Sequence, residues 1–318
     1  MHKPRQRESR FMSEFKFEEA VTQAFRTSGG KQFGWRLVFW TAAVVSIVSL
    51  IAWPLILPHY GELMAINQQN MQSVLGGDPG AVDSKALNAL MLKMAPTYLF
   101  LMAGYWLAWV MAEAALHRKV LHGTEAPKRP FRLGKDELRV WLAQLGVFGI
   151  IFAIYFFGVM AFALMAVIPG IGPILAILGL IAVLCLLLLA SVRLAPAAAL
   201  SIQEDKTHVL SAKTLTKRRF WTLFPAYLVT FLGGYILLYI IMIMGIGLVT
   251  GDPNFFMTMS GLGKEDPIEI MAAAKDRFKN PLVMLLGVLS LIAYSAAYAL
   301  WMISLIGVSS HAVKVWSR

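Results

Sequence analysis

Cysteine is almost absent from this chain: its 318 residues include one, Cys185, set inside an apolar run. A lone cysteine excludes a disulfide framework, and its surroundings read as those of a small interior side chain rather than a reactive thiol. Charge is also scarce. Only 15% of the residues are Asp, Glu, Lys or Arg, against roughly 25% in a soluble domain. No phosphate-binding loop, dinucleotide fingerprint, nucleophile elbow or pair of catalytic carboxylates occurs, so no motif argues for an enzyme. His117, His122, His208 and His311 flank apolar runs without His-to-His metal spacing, and read as solvated interfacial side chains. No metal or cofactor is expected.

What the chain has in quantity is apolar surface, at 58% of residues. A helix rises about 1.5 Å per residue and needs about 20 apolar residues to cross the hydrocarbon. Six stretches meet that length: 37–57, 97–116, 140–168, 174–192, 220–250 and 281–310. The predicted fold is therefore all-α, a polytopic helical bundle of three hairpins. Pro96 reads as the start of the second span and Pro58 as the end of the first. The run Pro169-Gly170-Ile171-Gly172-Pro173 is a tight turn between the third and fourth. Residues 1–34 form a basic arm with an amphipathic helix, and 35–318 the transmembrane domain with outer loops at 58–96 and 251–280. In the arm, Phe17, Val21, Ala24 and Phe25 share one helical face. In the outer loops, Asp83 and Ser84 can cap a helix entering span two, and Asp266-Pro267-Ile268-Glu269 reads as another helix start.

The net charge of +11 does not point to nucleic acid, because the basic residues lie between apolar runs. Eight of the 29 precede the first span, seven follow the second, six lie between the fourth and fifth, and two are in the tail. All fall on one side, which the positive-inside rule makes cytoplasmic, with both termini there. A bacterial inner membrane is the expected location.

Each odd-numbered span opens on basic residues followed by a Trp: Lys31 to Trp35, Lys135 to Trp141, Lys217 to Trp221. Trp35, Trp141 and Trp221 are the expected interface anchors, each behind an in-plane cytoplasmic helix. Lys31, Arg36, Arg139, Lys217, Arg218 and Arg219 are candidate contacts for anionic phospholipid headgroups. Two charges lie close to spans, Glu113 and Arg193. Both spans run inward, which places the two at a similar depth, where they could pair as an inner gate or snorkel separately to the interface. A transport path would be lined by groups such as Gln144, Thr230 and Ser290.

The runs Glu113-Ala114-Ala115-Leu116-His117-Arg118, Phe131 to Arg139, Arg193-Leu194-Ala195-Pro196-Ala197 and Thr214-Leu215-Thr216-Lys217 resemble a bacterial family. It is the six-helix membrane domain attached to some glycerophosphodiester phosphodiesterases, with its stand-alone proteobacterial relatives. In those fusions a separate barrel does the chemistry, and nothing here is long and polar enough to be one. The resemblance implies a non-catalytic membrane module concerned with lipid or the envelope, and it carries over no catalytic residue; protein partners or a homo-oligomer are separate expectations. A transporter or channel is the rival expectation. A membrane-embedded enzyme, which would need Glu113, Arg193 and a histidine to converge, is the third.

Overall fold

Long apolar runs in lipid must satisfy every backbone polar group internally, and helices do so within one segment. The computed structural model follows that rule; it describes residues 15–27, 30–76, 84–123, 131–251, 273 and 275–317. In chain order the helices are α1 (Phe17–Val21), α2 (Gln23–Arg26), α3 (Gly30–Leu75), α4 (Ser84–Leu121) and α5 (Lys135–Ala166). They continue with α6 (Gly172–Leu194), α7 (Ala197–Gln203), α8 (Ser211–Leu215), α9 (Phe220–Thr250) and α10 (Pro281–Trp316). Six helices among the described residues are long and apolar enough to cross a membrane. The chain is a multi-pass membrane protein.

Two expected boundaries move. The first helix does not end at Pro58 but runs to Leu75, 46 residues in all, about 69 Å at the usual rise. The second does not begin at Pro96; the helix expected to enter it from Ser84 is continuous with it and carries Pro96 inside. Most of the expected 58–96 loop is therefore helix. The reason is apolar burial on either side of each proline: Ile56 and Leu63 flank Pro58, Met94 and Tyr98 flank Pro96, and all four pack in one cluster. Burial of that kind outweighs one lost backbone hydrogen bond. Asp83, residues 77–80 and the stretch from Asp266 to Glu269 lie outside the described residues.

The chain divides into two compact units. The terminus-bearing unit takes in the chain through Leu37, Val110–Leu232 and the chain from Trp301. It contains the α5–α6 hairpin, whose turn falls at the proline–glycine run, with Gly170 at φ +84°. Small residues let this hairpin close: a Cβ on Gly158 would meet Val183 at 2.4 Å, and one on Gly179 would meet Phe162 at 3.0 Å. Cys185 points outward from α6 rather than into an interior.

The second unit comprises Val38–Trp109 and Gly233–Leu300. Its interior is apolar around Ile56 and Met94, with a hydroxyl pair, Ser49 Oγ to Tyr105 Oη, at 2.7 Å.

The arm helices belong to the terminus-bearing unit and are not a separate element. They bury Ala20, Gln23 and Ala24, whereas Phe17 is exposed. The buried face is thus the small-residue one, because contact is backbone-close: a Cβ on Gly307 would lie 2.5 Å from the Ala20 carbonyl oxygen. Phe25 fills the space beside Gly34 and meets Trp35 edge-on at 5.6 Å. Before the second hairpin no separate surface helix precedes α5 among the described residues; Lys135 to Trp141 form its first turns.

Candidate functional site

The buried end of α4 carries the chemistry. Glu113 and His117 are one helical turn apart, so both project from the same face. His117 is 0% exposed and Glu113 5%. Glu113 Oε1 lies 3.2 Å from His117 Nε2, and Gln144 on α5 donates from its amide nitrogen to Glu113 Oε2. His117 Nδ1 lies 2.8 Å from Ser310 Oγ on α10. Next to it the Tyr227 hydroxyl and Ser309 Oγ are 2.6 Å apart, and Ser309 reaches the Ala195 carbonyl at 3.3 Å. Four long or short helical segments thus meet on a polar centre.

A second centre lies one residue along. Arg118 is buried and donates to Glu137 Oε1 at 2.5 Å and to Asp136 at 3.4 Å. Asp136 also takes Arg132 at 3.1 Å and Arg139 at 3.1 Å. Arg139 reaches on to Asp205 at 2.6 Å. A buried pair of this kind is costly to break from one side, about 3–5 kcal/mol, since the remaining charge has no water. Gln23 of the arm meets His311 Nδ1 at 3.0 Å, while Phe15 packs on both His311 and Trp316.

These positions correct three sequence expectations. His117 and His311 are interior side chains rather than solvated ones. Glu113 does not snorkel: Gln144 and His117 hold it inside. Nor does it meet Arg193 in an ion pair; among the described residues its partners are those two. The Arg193 carbonyl accepts from Thr216 at 3.1 Å, and its Nε is buried without a hydrogen-bond partner. The convergence of Glu113, Arg193 and a histidine therefore reduces to Glu113 and His117. The groups expected along a transport path are otherwise engaged. Gln144 serves Glu113, Thr230 bonds its own Ala226 carbonyl at 2.7 Å, and Ser290 packs on Gly245.

The candidate headgroup contacts separate into two kinds. Lys31, Arg36, Lys217 and Arg218 are exposed. Arg139 is tied to Asp136 and Asp205, and Arg219 lies half-buried with its guanidinium 4.8 Å from the Trp316 ring centre. Partial burial holds the Arg219 guanidinium below its ordinary value. The expected anchors are on the surface: Trp221 is 78% exposed, Trp35 58% and Trp141 39%.

Sequence spacing could have revealed Glu113 with His117, because the i, i+4 relation is local. Ser310 and Gln23 had no such signal; their partners lie 193 and 288 residues away. Comparison of the chain with protein families, with curated proteins and with solved structures gave no match.

Proposed function

We propose that this membrane protein is a non-enzymatic component of the bacterial inner membrane that organises lipid, or partner proteins, through its basic face, with both termini in the cytoplasm. The observation that carries the reading is the pairing of exposed Trp with exposed cations in the terminus-bearing unit. Trp35 stands between Lys31 and Arg36, and Trp221 follows Lys217 and Arg218. Indole at headgroup level with ammonium and guanidinium groups beside it suits an anionic leaflet, at about 1 kcal/mol per basic residue near the surface. The positive-inside distribution supports the orientation. The resemblance to the membrane domain of glycerophosphodiester phosphodiesterases points the same way, toward a module without its own chemistry.

The test is thermal unfolding of the full chain in nanodiscs of phosphatidylcholine with and without phosphatidylglycerol. The anionic discs should raise the midpoint, and added salt should shrink the difference. A midpoint indifferent to both lipid charge and salt would overturn the reading.

A further inference from the structure

The hydrogen atoms of the Glu113 centre admit two arrangements, and the difference between them is one proton. The Ser310 hydroxyl has two acceptors in reach, the Ile306 carbonyl at 3.0 Å and His117 Nδ1 at 2.8 Å. A hydroxyl has one proton and serves one of them. When it serves Ile306, Nδ1 must carry its own proton and donate it to Ser310 Oγ. His117 Nε2 and Glu113 Oε1 face each other at 3.2 Å, and two bare lone pairs cannot, so one further proton lies between them. Ring and carboxyl then hold two protons and are neutral together. When the Ser310 proton instead serves Nδ1, the ring is neutral with its proton on Nε2, donated to Glu113. The pair then holds one proton and a net negative charge.

We infer that Glu113, His117 and Ser310 form a buried proton-binding site with these two states, reported by which acceptor the Ser310 hydroxyl serves. The donor set selects a proton over a metal cation. Gln144 points an N–H at Oε2 and the ring presents nitrogen to Oε1, whereas a hard cation needs several converging oxygens. Burial makes occupancy matter, because a carboxylate without a neutralising partner is expensive inside protein or lipid. No lysine or arginine forms an ion pair with Glu113 among the described residues. The groups facing the site are Gln144 from α5, Tyr227 from α9, and Ser309 and Ser310 from α10; Tyr227 lies within electrostatic reach of Glu113. Loading the proton removes a negative charge from among these neutral groups and leaves α4 and α10 joined by a neutral link.

The test is nitrogen-15 NMR of histidine-labelled full chain in lipid nanodiscs, with the His117 signals identified by their loss in His117→Gln. The site predicts that Nδ1 of His117 passes from protonated to bare as pH rises within the range where the protein stays folded. Ser310→Ala removes the hydroxyl that accepts the Nδ1 proton in the loaded state, and should leave Nδ1 bare at pH values where the wild type carries it. The wild-type titration stands alone if that variant does not fold. A His117 Nδ1 whose protonation does not change with pH in the folded wild type, or a folded Ser310→Ala variant that behaves as the wild type does, would overturn the site.

Discussion

The two units solve the problem of an interior differently. Around Ile56 and Met94 the second unit encloses hydrocarbon, and its buried polar side chains among the described residues are the hydroxyls Thr41, Ser49 and Ser295. The terminus-bearing unit encloses Glu113, His117, Arg118 and Glu137. Hydroxyls can bond within their own helix, as Ser295 does to the Leu291 carbonyl at 2.8 Å. Buried charges need more than that: Glu113 takes Gln144 of α5 as well as His117 of its own helix, and Arg118 takes Glu137 of α5. The first kind is held by burial that has no direction, whereas the second joins particular partners across helices.

That contrast can be broken in order of expected effect. Glu137→Ala removes the shortest ion-pair contact of buried Arg118, and should cost about 3 kcal/mol of unfolding free energy. Met94→Ala in the apolar unit removes side-chain volume without orphaning a charge, and should cost about 2–3 kcal/mol. Restoring volume with Met94→Leu should recover most of that, while Glu137→Gln, which keeps shape but not charge, should remain well below wild type. If both conservative variants recover equally, the two interiors do not differ in kind. Unfolding of each variant in identical nanodiscs makes the comparison.

A smaller effect concerns the arm. Gly307→Val places a Cβ against the Ala20 carbonyl, which cannot swing aside as a side-chain end would. We expect a loss of about 1–3 kcal/mol, with faster hydrogen exchange confined to 15–27 and the α10 end. Smaller still is Lys217→Gln with Arg218→Gln. Both residues are exposed, so stability in neutral lipid should change by about 0.5 kcal/mol or less. Preference for anionic lipid should nonetheless fall by about 1 kcal/mol for each, measured by partitioning between disc compositions. The least effect comes from acid. The hydrogen bond from Lys16 holds the partly exposed Glu19 carboxyl below its ordinary value. Its contribution is present above the ordinary carboxylate range and lost as pH falls through the depressed value. The readout is slightly faster exchange of α1 alone.

The fold was legible where periodicity and length decide the matter. The span at 220–250 coincides with α9, and the turn after α5 follows from its prolines and glycines. Prolines misled at 58 and 96, because their penalty is local while the burial that overrides it comes from residues on a neighbouring helix. The candidate site was half legible. Glu113 stood out as a charge beside a span, but its natural partner on sequence grounds was Arg193, an opposite charge at similar depth. Of the partners it has, His117 lies four residues on along the same helix, whereas Gln144 is brought to it only by packing. Burial was the other missing quantity: the same Glu-x-x-x-His spacing on a solvated helix end would be a surface pair of little consequence.

The central claim, that the charges beside α4 are interior rather than interfacial, can be tested by carboxyl footprinting of the folded full chain in nanodiscs, read by mass spectrometry. Glu204 and Asp205, both exposed, supply the reference rate within the same molecule. The account predicts fast modification of those two and slow modification of Glu113 and Glu137. Modification of Glu113 at the rate of Glu204 in protein that remains folded would contradict it.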